Sequence, residues 1–154
     1  MIYPEFDQEK ITTVVEQLNL LLADYNLYYQ KLRNFHWNVS GEHFFTLHVQ
    51  FEDMYEDAKT KVDNIAERIL TLRHHPTSNF SDYLKISHIE ESPSELDGKK
   101  MVATLLSDHD KLLSQLAEVA HAAENAGDEG TVDMVGAYIG ELEKTSWMLS
   151  AWAK

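Results

Sequence analysis

Apolar side chains recur at three- and four-residue intervals through most of this chain. Ile11, Val14, Val15, Leu18, Leu21, Leu22, Tyr25, Tyr28, Tyr29, Leu32 and Phe35 form one such series, which is the spacing of an amphipathic helix. Asp7 stands where an N-cap belongs and Gly41 where a stop belongs. A second series begins near Phe44, continues through Leu47, Phe51, Met54, Tyr55, Ala58, Val62, Ile65 and Ile69, and ends before Pro76. From His74 to Glu91 the sequence is mixed and polar, which predicts a crossover holding a short helix at "SDYLKI". Ser92-Pro93-Ser94-Glu95 joins a capping-box pattern to a proline at the first helical position, and so predicts the start of a third long helix. That helix runs through Val102, Leu105, Leu106, Leu112, Leu113, Leu116 and Ala120, and "ENAGDEG" breaks it. Val132, Val135, Tyr138, Ile139, Leu142, Leu149 and Trp152 spell a fourth.

Two helices, a long crossover and two more helices is the connectivity of ferritin-like four-helix bundles. The expected fold class is therefore all-α, and no strand pattern or internal repeat competes with it. A length of 154 residues suits a single domain spanning 1–154, since a chain of this size hides roughly 70% of its unfolded surface. The start, "MIYPEFDQEK", has neither a basic nor an apolar leader region. No apolar run approaches the roughly 18 residues of a membrane span, so a cytoplasmic location is expected.

Composition narrows the chemistry. There are no cysteines, which excludes disulfide scaffolds, thiolate metal sites and cysteine nucleophiles. Any metal must be held by imidazole and oxygen. The formal net charge of -13 opposes binding to a phosphate backbone, which draws its affinity from Lys and Arg, and favours cations instead.

Four metal-capable side chains fall on the second series: His48 with Glu52, and Asp63 with Glu67, each pair four residues apart. Along a helix the fifteen residues from His48 to Asp63 span roughly 22 Å but turn only about 60° beyond whole turns. The four form one stripe at the border of the apolar face, too long for one site. A second copy of the helix, antiparallel across a two-fold axis, would bring His48 and Glu52 of one chain opposite Asp63 and Glu67 of the other, and would form the site twice. His36, at the end of the first helix, adds a fifth donor. Imidazoles with carboxylates suit iron, zinc or manganese. Taken singly, these residues have ordinary readings as well. A histidine on an apolar stripe is more often a core residue, and charges four apart are more often solvated helix face.

"FHWNVSG" at 35–41, followed by "FFTLHVQFEDMYEDAKTKVDNIAERI" at 44–69, resembles the Dps family, the mini-ferritins named as DNA-binding proteins from starved cells. The likeness extends to "EKTSWMLSAW" from Glu143 to Trp152. It implies a ferroxidase centre at His36, His48, Glu52, Asp63 and Glu67, with the histidines from one subunit and Asp63 and Glu67 from its two-fold mate. It also implies a homo-dodecameric shell that oxidises Fe(II), preferably with hydrogen peroxide, and stores ferric mineral inside, with iron as the bound metal. Trp37, beside His36, is expected to quench radicals there or simply to pack. Asp128, Glu129 and Asp133 match the acidic lining of the family's three-fold pores, Asp133 best. For Asp128 and Glu129, favourable charge at a helix N-terminus is the competing reading.

Members that bind DNA directly often carry a Lys-rich tail. "MIYPEF" before the first helix contains neither Lys nor Arg, and the fourth helix is followed at once by Lys154, so little direct DNA binding is expected. A conventional ferritin with its centre inside one bundle needs Glu-x-x-His on two helices. Only Glu118-Val119-Ala120-His121 fits that pattern, and it is expected to be surface chemistry. A non-enzymatic shell that binds DNA or a partner is the third reading. His43, His74, His75, His88 and His109 are expected on the surface or in loops.

Overall fold

The structure is a computed structural model and describes residues 5–154. Residues 1–4, on which part of the leader and tail expectations fall, lie outside the described residues. Five helices follow one another among those described: α1 (Gln8–Asn38), α2 (Phe44–Thr71), α3 (Phe80–Ile86), α4 (Gly98–Ala126) and α5 (Glu129–Trp152). None is long and apolar enough to cross a membrane.

Local chemistry sets most boundaries where the sequence predicts them. The Asp7 carboxylate accepts from the backbone N–H groups of Glu9 and Lys10, which would otherwise be orphan donors at the head of α1. Val39 closes that helix, and Gly41 with φ +96° reverses the chain, a conformation costly for any residue with a Cβ. Gly127 ends α4 in the left-handed conformation, and Asp128 immediately caps α5 by accepting from Thr131 N–H. The expected short helix in the crossover is α3.

The start of α4 differs from expectation. Ser92 does not cap it; Asp97 does, accepting from Lys100 N–H, and the helix begins at Gly98. Two tertiary contacts outweigh the capping-box pattern. The Ser92 carbonyl accepts from Asn34 Nδ2 at 3.0 Å, tying this stretch to α1. A Cβ on residue 98 would lie 2.7 Å from Leu47 Cδ1, so the glycine lets the head of α4 seat against α2.

Polar pairs across the bundle give the helix directions. Lys31 meets Asp108, Tyr28 meets His109 and Gln17 meets Gln115, so α1 and α4 run antiparallel. Lys61 meets Glu141 and Arg68 meets Asp128, so α2 and α5 do too. Each hairpin, α1–α2 and α4–α5, is antiparallel across a short turn, and the crossover from α2 to α4 carries α3 along α1. The Asp24 carboxylate pins that crossover, accepting from Ser87 Oγ, His88 N–H and His88 Nδ1. The core is a continuous apolar cluster from all five helices, including Leu18, Leu32, Phe35, Phe51, Ile65, Leu112 and Leu149.

The bundle interior also holds polar groups that were not anticipated. Lys31 and Asp108 form an ion pair at 2.7 Å with side chains 4% and 3% exposed. Lys61, equally buried, lies between Asp57 and Glu141 with its ammonium over the Tyr138 ring. His109 is not a surface residue: it is 1% exposed, because its position four after Leu105 and three before Leu112 puts it on the core stripe of α4.

Candidate metal centre

The turn at 39–43 folds the end of α1 onto the start of α2 and brings His36 and His48 face to face. Their rings stack with centroids 3.8 Å apart and planes 14° from parallel. His36 Nδ1 lies 2.6 Å from the His48 carbonyl oxygen, and His48 Nδ1 lies 2.7 Å from the His36 carbonyl oxygen. A carbonyl can only accept, so both Nδ1 atoms carry their protons and donate. The tautomer with its lone pair on Nε2 is thereby selected, the arrangement in which a backbone carbonyl orients a metal-ligating imidazole. Phe44 stacks on His48, and Tyr55 stands edge-on to His36 with centroids 5.3 Å apart. His36 is buried and His48 half-buried.

Glu52, Asp63 and Glu67 are all exposed on α2, on the border stripe the periodicity predicts. Within one chain, no group of three or more His, Asp or Glu side chains that could hold a metal ion forms among the described residues. The structure thus brings two of the five predicted ligands together, His36 and His48, and leaves the acidic pair toward the far end of α2.

Trp37 is 57% exposed, so it is not packed within its own chain, and the Arg33 guanidinium lies over its ring at 4.9 Å. Glu129 and Asp133 are exposed at the head of α5. Asp128 is 1% exposed: its carboxylate accepts from Thr131 N–H, Thr131 Oγ1 and Arg68 Nη2, which is the helix-capping role. A Cβ on Gly130 would lie 2.7 Å from Arg68 Nη2, so the glycine leaves room for the guanidinium beside Asp128. Glu118 and His121 are both exposed.

Sequence reasoning missed Tyr55 beside His36, and Arg68 as the partner of Asp128. Tyr55 was assigned to the apolar series alone. Nothing in local spacing could have joined Arg68 to a residue sixty positions later.

A family model described as Ferritin-like domain matches residues 15–154, which sets the class. Among curated relatives, the "DNA protection during starvation protein 2" of Bacillus anthracis is 40% identical over 90% of this chain and 95% of its own. The "DNA protection during starvation protein" of Porphyromonas gingivalis is 39% identical over 95% and 92%. The crystal structure of a Dps protein from Vibrio cholerae O1, described as a member of a superfamily of ferritin-like diiron-carboxylate proteins, superposes with a TM-score of 0.93 at 41% identity, covering 96% of this chain and 93% of that one. The chain belongs to the Dps family of ferritin-like proteins.

Proposed function

We propose that this protein stores and detoxifies iron by oxidising Fe(II), with hydrogen peroxide as the preferred oxidant, at centres shared between two-fold-related subunits of a hollow shell of twelve. The observation that carries the reading is the reciprocal His36–His48 pair, which keeps two Nε2 lone pairs free for a metal while the nearest acids of the set stand exposed on the same helix. Fe(II) enters as substrate and leaves as ferric mineral. Two Fe(II) ions each give one electron to hydrogen peroxide, which with two protons becomes two waters. His36 and His48 hold the ion from one subunit, Glu52 contributes beside them, and Asp63 and Glu67 reach it from the partner subunit. The carboxylates favour the more highly charged Fe(III) product, and the few protein donors leave coordination positions open for the oxidant. Trp37, on the surface beside this centre, is available to intercept radicals. Glu129 and Asp133 draw Fe(II) toward a pore by their negative charge.

A conventional intrasubunit centre is not favoured. Such centres place carboxylates and histidines from facing helices in the bundle core, and here the core holds the Lys31–Asp108 and Tyr28–His109 pairs instead. Glu118 and His121 point outward. Direct DNA binding is opposed by the net charge of -13 per chain.

The test is anaerobic Fe(II) loading followed by peroxide or air, read as ferric product, with dodecamer integrity followed in parallel. His48→Ala and Asp63→Ala each remove the fast phase. Mixing the two variants under subunit exchange restores part of it, because some interfaces then join two intact halves. No recovery despite proven exchange overturns the shared centre.

A further inference from the structure

One buried group has no part in the chemistry above. Tyr28 of α1 and His109 of α4 meet inside the bundle, with Tyr28 Oη 2.7 Å from His109 Nε2 and both side chains almost wholly removed from solvent. The direction of every proton along this chain is fixed. Ser146 Oγ donates to the Leu142 carbonyl at 2.7 Å, so its oxygen accepts from His109 Nδ1–H at 2.7 Å. His109 Nε2 therefore has a lone pair, and the Tyr28 hydroxyl donates to it. The imidazole is held neutral, burial having lowered its pKa to about 4.

We propose that Tyr28 is a redox reservoir: it gives up one electron as its proton moves to His109, and holds the oxidising equivalent as a buried neutral tyrosyl radical. A buried phenol cannot release its proton to water, and here burial, followed by the neighbouring Tyr25 and the charges of Asp108 and Asp57, raises the Tyr28 pKa well above its ordinary value. The phenolate is closed to it. Losing an electron makes a phenol strongly acidic, and the base it needs is already aligned.

The proposal rests on the peroxide reading for its oxidant. When a single Fe(II) gives one electron to hydrogen peroxide, Fe(III), hydroxide and hydroxyl radical result. The radical takes one electron from the aromatic groups beside His36 and becomes hydroxide. Tyr55 stands at 5.3 Å from the His36 ring and Tyr29 at 6.0 Å from Tyr55, and Tyr28 follows on the same helix, about 12 Å of helical rise from His36. The electron is replaced from Tyr28, its O–H bond breaks, and the proton crosses to His109 Nε2. A further Fe(II) then gives one electron to the radical as the proton returns from His109, which restores the neutral phenol and forms a second Fe(III). The sum is two Fe(II) oxidised per peroxide with no free radical escaping.

The experiment uses the assembled full-length protein in two arms read by electron paramagnetic resonance. In the first, iron-free protein is oxidised by a photo-excited ruthenium complex with a sacrificial acceptor; in the second, Fe(II)-loaded protein is mixed with peroxide and freeze-quenched. A tyrosyl signal is expected in both. It is lost in Tyr28→Phe. It is lost also in His109→Gln, whose amide oxygen keeps a hydrogen-bond acceptor but cannot take the proton, an outcome a merely structural histidine would not produce. A signal that survives in Tyr28→Phe, or that survives in His109→Gln, or the absence of any tyrosyl signal in the light-driven arm, overturns the proposal. If the unmodified protein fails to oxidise Fe(II) at all, the function reading falls, and the light-driven arm still decides the reservoir.

Discussion

Arg68, the residue after Glu67 on α2, sets its guanidinium against the buried carboxylate of Asp128, the residue that caps α5. The two helices are thereby locked together where the acidic half of the candidate centre and the acidic head of α5 lie. Removing the acid should loosen the fold: Asp128→Ala is expected to lower unfolding free energy by about 2 kcal/mol, since it deletes an N-cap and strands a cation. Asp128→Asn, still an N-cap acceptor, should recover part of that loss. Denaturant titration at fixed protein concentration decides it, and unchanged stability with slowed iron uptake would return Asp128 to the pore.

The charges proposed to steer iron are Glu129 and Asp133. Glu129→Gln with Asp133→Asn should slow Fe(II) uptake by roughly tenfold at low salt, and the difference should shrink once ionic strength exceeds about 0.1 M. Stopped-flow loading over a salt series reads both effects. A difference independent of salt would mean the residues act by some other route.

His109 links stability to pH. Its pKa is about 4 in the folded protein against the ordinary 6.5, so between these values the unfolded chain binds a proton that the native chain refuses. Stability is therefore complete above pH 6.5 and declines as pH falls toward 4, by about 3 kcal/mol in all. In His109→Gln the slope of stability against pH should be shallower by one proton over that window. Unfolding midpoints measured from pH 7 to pH 4 show whether it is.

Lys31 and Asp108 protect each other from the cost of burial. Lys31→Met leaves a carboxylate alone in the core and should destabilise by about 3 to 5 kcal/mol, while Lys31→Met with Asp108→Leu should recover most of that. A double variant no better than the single one would show that the pair contributes attraction and not only mutual compensation.

How much of this was legible beforehand depends on whether a feature is local. The apolar series placed all four long helices, because burial imposes the 3.6-residue period wherever a helix packs. "SDYLKI" gave α3, and Asp7, Gly41 and the "ENAGDEG" break gave the ends. The head of α4 was misread because Ser92-Pro93-Ser94-Glu95 satisfies a local rule that the Asn34 contact and the seat of Gly98 on Leu47 override. Of the site, spacing alone put His48, Glu52, Asp63 and Glu67 on one border stripe, and the structure leaves the acids there. The facing of His36 and His48 through each other's carbonyls required three dimensions. The buried ions do leave a trace in the sequence: Lys31 lies three after Tyr28 and four before Phe35, Lys61 three after Ala58 and four before Ile65, and Asp108 three after Leu105 and four before Leu112. A charge on a core stripe demands a partner, and that demand is the local sign of the interior polar groups these three form with His109.

The mutual latch of His36 and His48 closes across residues 39–43 alone, so the imidazole half of the centre is finished as soon as one hairpin forms. In the proposed shared centre the other half arrives only with a neighbour, so a newly made chain that has not yet found its fellows would be an indifferent chelator. On that proposal, dilution would act as an off switch for oxidation.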